Sequence, residues 1–285
     1  MGNGMSNFTD FISGGGGTLY TIPITASTTW TPPYDGTAVI HCIGAGGGGG
    51  SDGSDGNVTG GGAGGYCRKA VTLSTGTNWT MVVGAGGASA TGAGNGGSGG
   101  NTTATDGSSS LTANGGGAGL TNSTAAVAGG TASGGDVNNT GGHGGYAGTS
   151  TMAGGGAVGV LGTGAAGAAT PAGANALAGQ ARGGESDVQS PQFENTNGEL
   201  RGGGPAGRFH NAKYSPSGPS VVNGGFLSGG GASYTAFDER FQAGGDGGIG
   251  GGGGSANSGA TGSNGYVNSG KGGNGLILVM YTSVG

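Results

Sequence analysis

The chain has 285 residues, of which 83 are glycine, about four times the usage of an ordinary globular domain. Only 7% of its residues are charged, and the formal net charge is −5. This composition excludes a helical protein, because each glycine in a helix interior costs about 1 kcal/mol relative to alanine. The low and acidic charge also argues against nucleic acid as a partner, since phosphate backbones attract basic proteins.

Three classes of glycine-rich chain remain. Collagen needs glycine at every third residue, a rule broken by the uninterrupted glycine runs 46–50 and 250–254. A disordered linker would lack the apolar segments that flank the glycine tracts here. The third class is packed polyglycine II helices, whose backbone groups bond laterally to neighbouring segments. Because glycine is the costliest residue to order, such a bundle needs a clamp of ordinary apolar strands.

Five segments have the apolar and β-branched composition of strands. They are residues 18–24, which Pro23 interrupts, 37–43, 66–73, 79–83 and 276–281. The last follows the fourth by almost 200 residues. Its continuous apolar character predicts burial on both faces and pairing with the N-terminal strands. Trp30 and Trp79 are expected to pack against the resulting sheet.

The predicted fold class is therefore mostly β and irregular, with almost no α-helix. A glycine-rich polyglycine II helix bundle is clamped by a small β-sheet formed from the N- and C-terminal strands. We divide the chain into an N-terminal attachment segment (1–17), a β-clamp with the first glycine-rich tracts (18–120), glycine/alanine-rich rods (121–181), charged and aromatic recognition loops (182–243), and the last glycine-rich tracts with the closing strand (244–285).

Cys42 and Cys67 are the only cysteines, and they lie in two predicted strands that flank one glycine tract. Antiparallel pairing would bring them face to face in one register only. The alternatives are a free buried pair, a disulfide, and a metal site completed by His41. In the strand 37–43, alternation places Cys42 and Ile40 on one face and His41 on the other.

Residues 182–241 have a different composition from the rest of the chain. They contain 11 of the 21 charged residues and 7 of the 17 aromatic residues. Arginine, tyrosine and other aromatic side chains dominate binding hot spots and stack on saccharides. The candidate receptor contacts are Phe193, Arg201, Arg208, Phe209, His210, Tyr214, Tyr234, Phe237 and Arg240. The segment 237–241 is either one helical turn packed on the rods or an exposed contact loop.

No catalytic or metal-binding constellation is evident. The near P-loop at 265–271 lacks the Ser or Thr that should follow its lysine. Asp52 and Asp55 do not complete a Ca²⁺ loop and are predicted to be turn residues. Zinc-ligand spacing and nucleophile motifs are missing around all three histidines, which are His41, His143 and His210. We expect no enzymatic activity, no cofactor and no metal.

Several motifs occur in a fixed order. Tyr-Thr-Ile-Pro at 20–23 and a turn centred on Trp30 precede Val-Ile-His-Cys-Ile-Gly-Ala-Gly at 39–46. Gly-Gly-Tyr at 64–66, Met-Val-Val-Gly-Ala-Gly-Gly at 81–87 and Leu-Thr-Ala-Asn at 111–114 follow, and Gly-Lys-Gly-Gly-Asn-Gly at 270–275 leads into the last strand. In this series the chain resembles the glycine-rich domain of bacteriophage tail-fibre and receptor-binding proteins.

The resemblance implies an adhesin of the virion, at the tail fibre or tail tip, with polyglycine II helices supporting distal loops. Its implied partners are a host cell-surface polysaccharide or outer-membrane protein and other virion tail proteins, without membrane insertion. Because fibres are often trimeric, a homotrimer is expected. A purely structural virion fibre or capsid-decoration protein is the alternative, followed by an ice-binding protein.

Overall fold

The computed structural model describes residues 19–53, 56–145, 155–160, 162–167, 209–210, 223–224, 226–230, 233–235, 241–258 and 266–283. This part of the chain consists of strands, turns and extended glycine segments, and contains no helix. Accordingly, none of these residues belongs to a helix that is long and apolar enough to cross a membrane. The prediction of a β-rich fold is confirmed.

Sixteen strands are described. They are β1 (Leu19–Ile24), β2 (Thr28–Trp30), β3 (Gly36–Ile43), β4 (Ser51–Asp52), β5 (Tyr66–Leu73), β6 (Trp79–Val82), β7 (Thr102–Thr105), β8 (Ser110–Ala113), β9 (Ala132–Ser133), β10 (Val137–Asn139), β11 (Phe209–His210), β12 (Ser233–Thr235), β13 (Phe241–Ala243), β14 (Ala256–Ser258), β15 (Tyr266–Asn268) and β16 (Leu276–Ser283). They form two five-stranded antiparallel sheets, ordered β1-β16-β3-β5-β10 and β2-β6-β7-β8-β9, and two parallel sheets, ordered β11-β12-β14-β4 and β13-β15.

The C-terminal strand β16 lies between β1 and β3 and pairs with both. Strands from the two ends of the described chain therefore share one sheet, which confirms the predicted clamp. Alternate residues of β16, such as Ile277 and Val279, are fully buried, whereas Leu278 and Met280 between them are half-buried. The prediction of full burial on both faces is thus only partly right.

Pro23 lies within β1, an edge strand, where a missing backbone donor is tolerated.

The two antiparallel sheets enclose the main hydrophobic core. Ile40 and Ile277 of the first sheet belong to the same buried cluster as Trp79, Met81 and Leu111 of the second. Strand 79–83, expected in the single clamp sheet, is thus part of a second sheet, which corrects that prediction. The next strands of this second sheet, β7, β8 and β9, consist mainly of Thr, Ser and Ala, so they lack the apolar alternation of a recognisable strand.

Both tryptophans pack as expected. The side chain of Trp79 is only 1% exposed, and Trp30 is half-buried against the same core. Trp30 also lies beside Tyr281 of the closing strand, with ring centroids 6.2 Å apart. Trp30 and Tyr281 therefore join the second sheet to the clamp. Both tryptophans are packed within the protein and are not free to stack on a ligand.

The glycine segment 44–50 continues β3 and donates hydrogen bonds that repeat every three residues. The amides of Gly44, Gly47 and Gly50 donate to Gly65, Gly62 and Thr59; those of Ala45, Gly48 and Ser51 donate to Gly100, Gly97 and Gly94; and those of Gly46 and Gly49 donate to Gly273 and Gly270. Three faces of this segment are thereby bonded to three neighbours. A three-residue repeat is the one expected of a polyproline II-type helix, and the polyglycine II conformation itself stays a prediction.

Carbonyl groups of the same segment accept from three further neighbours. The donors are the amides of Gly116 and Gly119, of Gly87, and of Gly253 and Ala256. Segment 44–50 is therefore surrounded by six other segments, and backbone groups of these neighbours satisfy all of its amides and most of its carbonyls. This hydrogen-bonded layer, hereafter the glycine layer, adjoins the apolar core of the two antiparallel sheets.

Candidate binding surface

The four-stranded parallel sheet lies at the far end of the glycine layer from the apolar core. Segment 44–50 separates β3 from β4, and at about 3 Å per residue it spans roughly 20 Å. Segment 269–275 separates β15 from β16 and runs antiparallel beside it, since Gly46 and Gly49 donate to Gly273 and Gly270. One end of the glycine layer therefore joins β3 and β16 of the first antiparallel sheet, and the other end joins β4 and β15 of the two parallel sheets.

Three of the nine predicted receptor contacts lie in this parallel sheet. Phe209 and His210 form β11, and Tyr234 lies in β12. The backbone register aligns Phe209 with Tyr234 and His210 with Thr235. The other six predicted contacts lie outside the described residues: Phe193, Arg201, Arg208, Tyr214, Phe237 and Arg240.

Segments from distant parts of the sequence complete the sheet. Strand β12 pairs with β14, and β14 pairs with β4, so residues 51–52 reach the same sheet as residues 209–210. The smaller parallel sheet β13-β15 contacts β12 and β14. Strands β4 and β14 are not predicted from the sequence, because segments as short as Ser-Asp and Ala-Asn-Ser beside a glycine run show no period-two apolar pattern.

Asp52 is not a turn residue, contrary to prediction. It lies in β4, is 1% exposed, and pairs in parallel with Asn257, which is fully buried. The error has a physical reason: the preceding glycine segment has neighbours on every side, so the chain continues straight through Asp52. Asp55 lies outside the described residues.

This end of the glycine layer is buried but polar. The Ser51 hydroxyl donates to the Gly92 carbonyl at 2.7 Å, and the Ser269 hydroxyl donates to the Gly49 carbonyl at 2.5 Å. Both serines are almost fully buried. Short hydroxyl side chains therefore replace glycine where the layer meets the parallel sheet, and they satisfy carbonyl groups that no amide reaches.

His41 lies away from this surface, on the first antiparallel sheet. Its Nδ1 is 2.8 Å from the Tyr66 hydroxyl, so the imidazole has a hydrogen-bond partner within the sheet. Partial burial, and then the charge of Arg68, lower the pKa of His41. His143 is exposed within the glycine segment 141–145.

The two cysteines are free and buried. They occupy directly opposed positions of β3 and β5, in the one register that brings them face to face. A metal site shared with His41 is excluded, because adjacent residues of a strand point to opposite faces. In the described part of the chain, no group of three or more His, Cys, Asp or Glu residues could hold a metal ion.

A family model described as a glycine-rich domain matches residues 21–282. The match runs from within β1 to within β16, so it covers the apolar core, the glycine layer and the parallel sheets alike. No curated protein shows significant sequence similarity to this chain.

Proposed function

The chain belongs to the glycine-rich domain family. Because its ordered motifs also resemble those of bacteriophage tail-fibre and receptor-binding proteins, we propose that it is a bacteriophage receptor-binding protein of the tail fibre or tail tip. It attaches to a host bacterial surface receptor through loops carried on the glycine layer, without chemistry and without a cofactor. Its receptor is a cell-surface polysaccharide or an outer-membrane protein, and it assembles in the virion with other tail proteins, as a homotrimer.

The observation that carries this proposal is the separation of the two ends of the glycine layer. The apolar core, with strands from both ends of the described chain, lies at one end. Strands β11 and β12, which lie within the charged and aromatic segment 182–241, are at the other end. An element for anchoring and an element for recognition are thus held apart by a rigid spacer.

The spacer also has an energetic role. Every residue of segment 44–50 donates its amide hydrogen to a neighbouring segment, so the layer is ordered before any ligand arrives. Loops that leave an ordered layer lose less conformational entropy on binding than loops on a mobile scaffold. Arginine, tyrosine and phenylalanine side chains on those loops would then supply the specific contacts.

The test uses the full chain, fluorescently labelled, and measures its binding to a panel of bacterial cells. Single alanine variants of Arg208, Tyr214 and Arg240 should bind at least tenfold more weakly while their melting temperatures stay unchanged. Arg68→Ala is the matched control, because Arg68 is an exposed arginine on the sheet at the opposite end. It should bind as the unmodified chain does.

Two results would contradict the proposal at different levels. Unchanged binding by all three variants would overturn the site while leaving host attachment intact. Failure of the unmodified chain to bind any cell of the panel would overturn attachment and favour the structural fibre or decoration protein. Thermal hysteresis in the same preparation would instead indicate ice binding.

A further inference from the structure

Three polar side chains, those of Asp52, Asn122 and Asn257, lie around Gly56, where β4 leaves the glycine layer. Asp52 and Asn257 are paired residues of adjacent parallel strands, so their side chains extend from the same face of the sheet. A Cβ placed on Gly56 would overlap both Asp52 Oδ2 and Asn122 Oδ1. These two oxygens therefore lie together against the bare Cα of Gly56.

Asn257 is oriented by a second contact at the same place. Its Nδ2 donates to the Gly56 carbonyl at 2.6 Å, which fixes which end of the carboxamide is oxygen. The opposite end, Oδ1, is buried and has no hydrogen-bond partner. Since Asn257 is fully buried, an amide oxygen without a partner is a costly arrangement that a ligand would relieve.

Asn122 adds a third oxygen from the solvent side. Its backbone has φ of 51°, in the left-handed region that asparagine tolerates better than most residues. The residue before it, Thr121, is held by an amide hydrogen bond of 2.8 Å to Asn95 Oδ1, and its own hydroxyl is buried without a partner. Because Asn122 is exposed, an ion could reach the group from solvent.

We propose that Asp52, Asn122 and Asn257 form a binding site for a hard divalent cation, with Ca²⁺ as the preferred ion. All three ligands are oxygens, and one of them carries the negative charge that a cation needs. Ca²⁺ accepts carboxylate and amide oxygens in irregular arrangements and completes its shell with water, whereas Mg²⁺ demands an octahedron. A site with a single carboxylate belongs with the weak extracellular ones, with Kd of about 10⁻⁴–10⁻³ M.

The site would link β4, β14 and the segment around Asn122, which are far apart in sequence. Its ligands lie at the parallel-sheet end of the glycine layer, so a bound ion would tie the layer to the sheet that carries β11 and β12. This inference revises the sequence-based expectation of no metal. It is independent of the identity of the receptor.

Isothermal titration of the full chain with CaCl₂ tests the proposal, and thermal unfolding with and without the ion supports it. The chain should bind one Ca²⁺, with a melting temperature that rises between 0 and 10 mM CaCl₂ and rises less with MgCl₂. Asp52→Asn should weaken binding at least tenfold. Asp106→Asn, which removes a carboxylate that only caps its own turn in the second sheet, should bind as the unmodified chain does.

A second variant tests the site even if the substitution of the buried Asp52 prevents folding. Asn122→Gly removes an exposed amide while glycine adopts the same positive φ without strain, so the fold without Ca²⁺ should be preserved. It should weaken Ca²⁺ binding severalfold. Absence of any heat of binding at 10 mM CaCl₂ in the unmodified chain, or unchanged affinity in both Asp52→Asn and Asn122→Gly, would overturn the site.

Discussion

Cys42 of β3 and Cys67 of β5 are directly opposed across the first antiparallel sheet, and both are free and buried. The amide of Gly44, two residues after Cys42, donates to the carbonyl of Gly65, two residues before Cys67. Since hydrogen-bonded and non-hydrogen-bonded positions alternate along such a pair, the cysteines occupy a hydrogen-bonded position. Opposed Cβ atoms there lie about 4.5–5.5 Å apart, beyond the usual span of a disulfide.

We therefore predict that the two thiols stay reduced and unreactive in the folded protein. The hydrogen bond with Cys67, together with burial, raises the pKa of Cys42, which lowers its thiolate fraction. The same hydrogen bond lowers the pKa of Cys67, but the side chain of Cys67 is fully buried and out of reach of a reagent. Iodoacetamide at pH 8 should leave the native chain unmodified and alkylate both cysteines in guanidinium chloride. A denatured chain that resists alkylation, with a mass lower by the two hydrogens lost in a disulfide, would contradict this.

Substitution inside the glycine layer should be severe where the neighbours are backbone atoms. A Cβ on Gly47 would overlap the carbonyl of Gly117, and backbone held by six neighbouring segments cannot move aside. Gly47→Ala should therefore lower the free energy of unfolding by about 3 kcal/mol or more. Gly53→Ala is the control, because a Cβ there would meet nothing within 4 Å and should change stability little. Chemical denaturation of both variants measures the difference, and equal losses would refute the explanation.

The closing strand should depend on its last buried aromatic residue. Tyr281 is 5% exposed and stacks on Tyr20, with ring centroids 5.0 Å apart. Tyr281→Ala removes this stacking and opens a cavity in the core, so we expect a loss of about 3 kcal/mol in the free energy of unfolding. Val82→Ala truncates an exposed residue of the other sheet and should cost under about 0.5 kcal/mol. Urea unfolding of the two variants would show comparable losses if the stacked ring were unimportant.

The pKa of His41 should be measurably low in the folded protein. Burial and the Arg68 charge both disfavour the imidazolium, so the unfolded chain takes up a proton more readily than the folded chain. The contribution of His41 to stability is therefore complete above its unfolded pKa of about 6.5 and is lost as pH falls towards the folded pKa. An NMR titration of His41, compared with unfolding measured between pH 5 and 8, tests the direction.

Arg68→Gln separates the two causes. Removing the guanidinium should raise the pKa of His41 towards its ordinary value, while burial keeps part of the depression. Lys69→Gln is the matched control, because the neighbouring side chain points to the opposite face of β5. If both variants shifted the titration of His41 equally, the assignment to the cross-strand Arg68 would be wrong.

The strands that were correctly predicted from the sequence are those in which the pattern of apolar residues matches the pattern of buried residues. In β3, Ala38, Ile40 and Cys42 alternate with more exposed residues, and the pattern gives both the strand and its core face. The pairing of β16 with β1 and β3 followed from the need of an apolar strand for partners. In these cases local composition and tertiary contact agree.

The second sheet and the parallel sheets could not be found in this way. Strand β7 reads Thr-Thr-Ala-Thr and is buried at Thr102 and Ala104 because the core and the glycine layer cover it, not because it is apolar. Asp52 is buried for a similar reason, since two of its neighbours, Asn122 and Asn257, are about seventy or more residues away in sequence. Where the backbone itself is the packing surface, hydropathy carries little information about burial.

The position of β16 has a consequence for synthesis on the ribosome. Among the described strands, β1 pairs only with β16, so this pairing cannot form until residues 276–283 have been synthesised. At about 5–20 residues per second, roughly 10–50 s separate the completion of β3 from that of β16. During this interval the apolar edges of β1 and β3 are open to neighbouring nascent chains. Residues 276–283 therefore complete the first antiparallel sheet and also end the exposure of these two edges.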